Sequence, residues 1–481
     1  MAMKIKTPGQ FKKVEAFEER WQEIAPDLGF DRELLGAAGA LGQSIKVHGR
    51  TIGNRWAIHP MEGWDGTPEG LPSADTLRRW ERFGLSGAKL IWGGEAVAVT
   101  ADGRANPHQL FSNPSVDSQA GLAQLRSTLV QAHSAANPSS DDLFIGLQVT
   151  HSGRYARPTA DGPAPRIAYR HPVLDRRSGV TSDADIMTDA ELEGLMGDYV
   201  VAAKLAQGAG FDFVDVKCCH GYLLHELLGA KARPGIYGGS FENRTRFFRE
   251  TVAAIRAECP GLDIGVRVSI GDILPFLPGE DRRGEPDQWE ACEPYLFGFG
   301  VSEEDPRQVD LSESLRFLRL VKDMGIRLVN LTLGSPYYNP HLQRPAAYPP
   351  CDGYQPPEDP LVQVAEHLRI ASRCKAAVPE LLMVGTGYSY LQEWLPHIAQ
   401  HEVRVGNVDF VGLGRMVLSY PEMPGDVLAG RKLTRKKICR TFSDCTTAPR
   451  NGMPSGCYPL DEHYKRREDY KSLRKIKERL S

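Results

Sequence analysis

The stretch VDVKCCHGYLLHELL, residues 214–228, sets a lysine, two cysteines, a histidine and a tyrosine where an apolar strand gives way to a helix. An otherwise buried strand carries a charge at its end only where that end opens into a polar site, because an unpaired buried charge is costly. Lys217, His220 and Tyr222 all donate hydrogen bonds, so the junction marks a candidate site. Two further stretches, VGTGYS (384–389) and GLGRM (412–416), carry closely spaced glycines, the second followed by Arg415. Glycine lets the backbone approach a ligand and turn its amides toward an anion, and a guanidinium adds a bidentate charge. These stretches predict a site for a phosphorylated ligand.

Such residues need elements that bring them together. From about Ile45 to Val427 short apolar runs alternate with amphipathic stretches. Eight runs read as buried parallel strands: NRWAIHP (54–60), GAKLIWGGEAV (87–97), LFIGLQVTH (143–151), GFDFVDVK (210–217), LDIGVRVS (262–269), GIRLVNLTLG (325–334), ELLMVGTG (380–387) and NVDFVGLGR (407–415). Parallel strands covered on both faces are apolar throughout. The intervening stretches read as helices. Before one of them Thr188 and Glu191 form a capping box, and Leu192, Leu195, Met196, Tyr199 and Val200 follow on one stripe. This alternation predicts an α/β fold, a (β/α)₈ TIM barrel. The alternative, a doubly wound sheet, lacks a Gly-x-Gly-x-x-Gly after the first strand. Chemistry in such barrels sits at the C-terminal strand ends, where His59, Glu95, Gln148, His151, Lys217, His220 and Arg267 collect. Each alone reads equally well as a structural hydrogen-bonder. The glycine-rich stretches end the seventh and eighth strands, a recurring place for phosphate.

The barrel is expected over 46–427, with a charged, helical N-terminal extension at 1–45 and a Cys-containing basic tail at 428–481 that ends in a helix. Residues 270–310 form a long loop after the fifth strand, expected over the barrel mouth as a lid or specificity wall. The net charge of −3 argues against nucleic acid or an anionic membrane as partner. No window approaches the roughly 18 apolar residues of a membrane span, and the N-terminus lacks the apolar core of a signal peptide. Nine cysteines, an odd number of which six are scattered without framework spacing, fit reduced thiols in the cytoplasm.

Several motifs, in order over residues 45–425, resemble the old yellow enzyme family of flavin-dependent ene-reductases: NRWAIHPM (54–61), LQVTHSGR (147–154), GFDFVDVKCCHGYLLHELL with YGGSFENRTRF (237–247), GVRVS and VGLGR. The resemblance implies a barrel holding non-covalent FMN and a small-molecule substrate, with NAD(P)H as electron donor. By matching positions it implies that Pro60 and Met61 present backbone to the flavin, that Glu62 and Ala96 lie near its reactive edge, and that Gln148 bonds the pyrimidine ring. It further places Arg267 beside the negative end of the reduced ring, and Gly385, Gly387, Gly414 and Arg415 at the phosphate. Assembly into a homo-oligomer is left open.

The departures from that family are informative. Lys217, followed by His220, stands where relatives carry a histidine and then His or Asn. The resemblance assigns Lys217 and His220 to polarising the acceptor and Tyr222 to donating the proton. Alternatively Lys217 only pairs with Glu95 or Glu62 at the mouth. Glu62 replaces the usual Thr or Cys, and a carboxylate there disfavours the anionic reduced flavin. Longer relatives carry Cys-x2-Cys-x3-Cys-x11-Cys for a [4Fe–4S] cluster. Here Cys439, Cys445 and Cys457 retain the x11 spacing, with Phe442 at the second position. No metal set or iron–sulfur cluster is therefore expected; were one present, those three cysteines would be its ligands. The chain also ends before any second nucleotide-binding region, so NAD(P)H is expected to act at the barrel mouth. The resulting expectation is an FMN-dependent oxidoreductase that reduces an activated C=C bond. The alternatives are an amine or C–N oxidising flavoprotein and a flavin-binding subunit with little turnover.

Overall fold

The computed structural model describes residues 5–351 and 353–480. The first four residues of the expected N-terminal extension, Asp352, and the last residue of the tail lie outside the described residues. Strands β1 (Trp56–Ile58), β2 (Leu90–Ile91 and Ala96–Ala98), β3 (Phe144–Thr150), β4 (Phe213–Val216), β5 (Asp263–Ser269), β6 (Leu328–Thr332), β7 (Leu382–Gly385) and β8 (Phe410–Leu413) pair in parallel, each with the next. β8 returns to β1, with Val411 opposite Trp56, so the sheet closes. The chain is a (β/α)₈ barrel. Only the first residues of β5 and β7 are not fully buried. The rest are covered by helices outside and by packed side chains inside, which is why the sequence shows apolar runs rather than alternation.

The outer helices are α1 (Ala74–Gly84), α2 (Ser118–Ala136), α3 (Asp189–Gly208), α4 (Arg246–Glu258), α5 (Leu311–Asp323), α6 (Pro360–Ala377) and α7 (Leu395–Arg404), and two short helices follow β8. The capping box at α3 forms as expected: Thr188 Oγ1 accepts from the Glu191 amide at 3.2 Å, and Glu191 accepts from the Thr188 amide at 2.7 Å. Leu192, Leu195 and Tyr199 are buried on its inner face.

Inside the barrel Ala57, Leu90, Trp92, Phe144, Phe213, Leu328, Val384 and Phe410 fill the lumen. Val47 and Ile52, from a hairpin of Ile45–Val47 and Arg50–Ile52, join this cluster. The lumen is a packed core, so a ligand has room only at the C-terminal strand ends.

β2 departs from the single run expected over 87–97. Gly93 and Gly94 take φ values of +139° and +48° and break it into two pieces. A Cβ on Gly93 would lie 2.9 Å from the Gln148 amide nitrogen, so the close approach of β3 requires glycine there. The break turns Glu95 away from the mouth. It lies instead against α1, where Arg79 binds it at 2.6 Å.

The extension forms a helix, Val14–Ile24, whose Phe17 stacks on Trp394 at 5.2 Å. Farther on, Asp31 accepts from Arg404 and Gln400 of α7. The C-terminal segment has a small core of its own, made by Ala448, Met453, Tyr458, Tyr464 and Leu473. It is tied to α1 by Arg78–Asp461 and Arg467–Asp75 ion pairs. Its last helix, Glu468–Leu480, buries Leu473 and so has a packed face as well as a solvated one. Among the described residues no helix is long and apolar enough to cross a membrane.

Candidate active site

A cavity of about 250 Å³ opens at the C-terminal strand ends. Its wall takes Pro60, Met61 and Glu62 after β1, Gln148 from β3, Lys217, His220 and Tyr222 after β4, and Arg267 from β5. Gly387 and Ser389 after β7, and Gly412, Gly414 and Arg415 at the end of β8, complete the far side. The strands thus gather almost every residue singled out in the sequence. Ala96, Gly385, Glu95 and His151 are the exceptions. Ala96 sits opposite Gln148 in the ladder but is buried behind the wall. A Cβ on Gly385 would meet Tyr388, which turns that glycine from the cavity, and Gly412 takes the place on the wall instead.

Asp215, inside β4, organises one wall. Its buried carboxylate accepts from Gln148 Nε2 at 2.6 Å, from Trp92 Nε1 at 2.7 Å and from the Arg267 amide at 2.7 Å. Burial pushes its pKa up, and these donors oppose the rise. The Gln148 amide is thereby oriented. Arg267 is buried, its Nη1 3.5 Å from the Pro60 carbonyl and its Nε without a partner among the described residues. The loop after β1 is pinned by Arg79, which donates to Met61 O at 3.1 Å and Gly94 O at 3.2 Å and pairs with Asp65 and Glu95. Asp215 and Arg79 escaped sequence reasoning. The available signals were an acid inside an apolar strand and an arginine beside Trp80 and Phe83 on the buried stripe of α1.

Lys217 Nζ lies 3.6 Å from the centroid of the Tyr222 ring, a cation–π contact. The alternative reading, a pairing with a glutamate, is not what the structure shows: Glu95 is held by Arg79, and Glu62 accepts from Tyr222 at 2.6 Å and from Asn106 at 3.4 Å. Burial pushes the Lys217 pKa down, opposed by Cys219 and Glu62. His220 adopts φ +68°, with its amide on Ser269 Oγ at 3.1 Å and its carbonyl on Ser335 Oγ at 2.8 Å. These bonds hold a conformation that L residues rarely take, and such strain clusters at functional sites. Burial, then Arg267 and Lys217, hold its imidazole pKa well below the usual value, so the ring is neutral. Burial, then Glu62 and Tyr337, raise the Tyr222 pKa well above that of a free phenol. His59 bonds Asn330 and Thr386, at 3.0 and 3.2 Å. His151 accepts from the Gly153 amide, and burial pushes it down to about 4.

Tyr337, from the loop after β6, was not foreseen. Its hydroxyl lies 2.9 Å from that of Tyr222, and its ring stacks on Tyr155 at 3.9 Å. Beyond it lies a second chamber of about 460 Å³, sharing Glu62, Pro336, Tyr337 and Arg344 with the first. The loops after β1, β3 and β6 wall it, together with Cys445, Thr446, Arg450 and Ser455 of the C-terminal segment. The 270–310 loop, expected over the mouth, contributes no described residue to either wall. It lies behind them: Asp272 accepts from Tyr338 at 2.6 Å, and Asp287 binds Arg176 and Arg177. The mouth is covered instead by the loop after β6 and the C-terminal segment.

Cys439, Cys445 and Cys457 share one neighbourhood. Burial raises all three pKa values, and each of the latter two is raised further by its fellow thiols. Among the described residues no group of three or more His, Cys, Asp or Glu could hold a metal ion. Phe442, at the position of the missing ligand, packs on Tyr348.

The model of the NADH:flavin oxidoreductase / NADH oxidase family matches residues 41–276. An NADPH dehydrogenase of Geobacillus sp. (strain WCH70) is 32% identical over 244 residues, 48% of this chain and 63% of that protein. An NADPH dehydrogenase of Bacillus subtilis (strain 168) is 32% identical over 301 residues, 60% of this chain and 72% of that one. A structure of 2-naphthoyl-CoA reductase in complex with 2-naphthoyl-CoA has a TM-score of 0.64 at 18% identity, covering 90% of this chain and 58% of that one. This last likeness is one of fold. The chain thus spans less than two thirds of the first of these relatives and of that structure.

Proposed function

Because the chain belongs to the NADH:flavin oxidoreductase / NADH oxidase family, we propose that it binds FMN in the inner cavity, at the strand ends, takes hydride from NAD(P)H and reduces an activated C=C bond of a small molecule. The donor set fits the cofactor. Gln148 offers an oriented amide to a pyrimidine edge, and Arg267 brings a buried guanidinium with an unpartnered Nε. At the other end stand Gly387 at φ +99°, Gly414, whose Cβ would enter open space, and Arg415, whose Nη1 has no partner among the described residues. That is a cradle for a phosphate. Bound there, FMN supplies the ring that accepts and releases hydride.

The chain's own groups do the rest. Lys217 and neutral His220 donate hydrogen bonds to the acceptor's oxygen, where negative charge develops. Tyr222 gives its phenolic proton to the α-carbon of the C=C bond. Glu62 orients that phenol, and Tyr337, 37% exposed, connects it with the outer chamber. The observation that carries this reading is the convergence of Lys217, Tyr222 and Glu62 on the cavity that Gln148 and Arg267 also line. The reading includes no iron–sulfur cluster, since residue 442 is a phenylalanine, which cannot ligate iron, and packs on Tyr348. It also places the protein in the cytoplasm, a setting in which its nine free cysteines stay reduced.

Oxidation of a C–N bond is the second reading. The Glu62 carboxylate on the cavity wall favours it, because it can take the proton that an ammonium substrate must lose before its C–N bond is oxidised. An anaerobic titration decides. Bleaching of bound flavin by NADPH or NADH, then recolouring by an enone, is expected. Bleaching by an amine with no response to either nicotinamide would reverse the assignment.

A further inference from the structure

We propose that the outer chamber is an anion-binding site that holds a carboxylate or phosphate carried by the oxidising substrate. The chamber wall contains Arg154, Arg157, Arg177, Arg344 and Arg450, and Glu62 is its only described carboxylate. Behind the wall, Arg154 is matched by Glu226 and Asp175, and Arg177 by Asp287. Glu62 faces the other way, bonded to Tyr222. Arg157 is different: its Nε is buried and has no hydrogen-bond partner among the described residues. Arg450 Nη2 is fixed to the Pro336 carbonyl at 3.1 Å, and Arg344 to Thr446 Oγ1, so both guanidiniums are set in the wall.

Trp64, Tyr155, Pro163, Pro336 and Tyr337 supply the apolar surface between them. An incompletely bonded guanidinium beside such surface is costly unless an anion completes it. Its planar fork matches a carboxylate or phosphate with two parallel bonds. The chamber communicates with the inner cavity past Tyr337, whose hydroxyl touches that of Tyr222. A substrate anchored outside by its anion would reach Lys217 and Tyr222 with its other end. The chamber therefore selects an elongated acid over a neutral compound.

This inference rests on the proposed direction of electron flow, so the test separates the two. Flavin-loaded protein and its Arg157→Met variant are compared for reoxidation by (E)-9-oxo-7-decenoate, whose carboxylate stands at the far end of a chain from its enone, and by its methyl ester. The acid-to-ester ratio of kcat/KM should fall about 10- to 100-fold in the variant, the usual effect of losing a charged hydrogen bond. An unchanged ratio overturns the proposal. So does a loss confined to reduction by NADPH and absent with NADH, which would assign the anion to the nicotinamide's own phosphate. Equilibrium dialysis with succinate and with inorganic phosphate tests the chamber without turnover. Binding of either that Arg157→Met weakens at least tenfold supports it even if neither acceptor reacts. Failure of both to bind overturns it.

Discussion

Tyr222 depends on its neighbours for its protonation state. Burial, Glu62 and Tyr337 keep the phenol protonated, while burial, Arg267 and Lys217 keep His220 neutral. Neither group changes charge between about pH 6 and pH 8, so the proton stays available wherever the protein works. Replacing Tyr222 by Phe removes the proton donor and leaves the Lys217 ammonium on an aromatic face. Reoxidation of reduced flavin by an enone should slow by about 10²–10⁴-fold, which stopped-flow absorbance would record. Reoxidation at the parent rate would remove Tyr222 from the mechanism. The residue types at this junction were legible from sequence, since a charge at the end of a buried strand has few explanations. Their pairing was not. The alternative reading of Lys217 set it against a carboxylate, but it lies over a ring, because Arg79 holds Glu95 and Tyr222 engages Glu62.

Among the elements, the loop after β1 is held by one buried cation. Arg79 reaches from α1 to Asp65, Glu95 and the carbonyls of Met61 and Gly94. Arg79→Met would leave two acids buried without their cation, a loss of about 3–5 kcal/mol on breaking such a pair. Urea unfolding measures it; a variant as stable as the parent would mean the loop is held by packing alone. The strands themselves were readable because burial on both faces leaves an unbroken apolar signature. The β2 break was not, since Gly93 and Gly94 sit inside such a run and their role depends on β3. Tyr337 and the C-terminal wall of the outer chamber were invisible for a related reason. Loops carry no periodicity, and nothing local says that residues near 337 and 446 return to the same mouth.

Across the whole molecule, the Asp272 carboxyl should make stability decline as pH rises from acid toward neutrality. Asp272 is largely withdrawn from solvent, its side chain 16% exposed, and among the described residues only Tyr338 donates a hydrogen bond to its carboxylate; desolvation pushes its pKa up to about 7. In the unfolded chain the group ionises near its ordinary 3.8. Between those two values the folded protein holds a proton that the unfolded chain has released, so stability falls with pH across that window and levels off above it. Asp272→Asn removes the titration. The variant's stability relative to the parent should therefore be greater at about pH 8 than at about pH 5. Equal differences at the two pH values would show that Asp272 does not titrate in the folded state.

The seam of the barrel, where Trp56 meets Val411, also sets a timetable for synthesis. A ribosome delivers one lip of that seam early and the other only after seven strands have emerged. Until then the nascent sheet has two raw margins with unspent backbone donors and acceptors, an invitation to neighbouring chains. The glycines and Arg415 that would grip a phosphate belong to the last two strands, so the pocket is finished at the same moment as the ring. Capture of a ligand at this pocket would follow closure of the ring and not guide it.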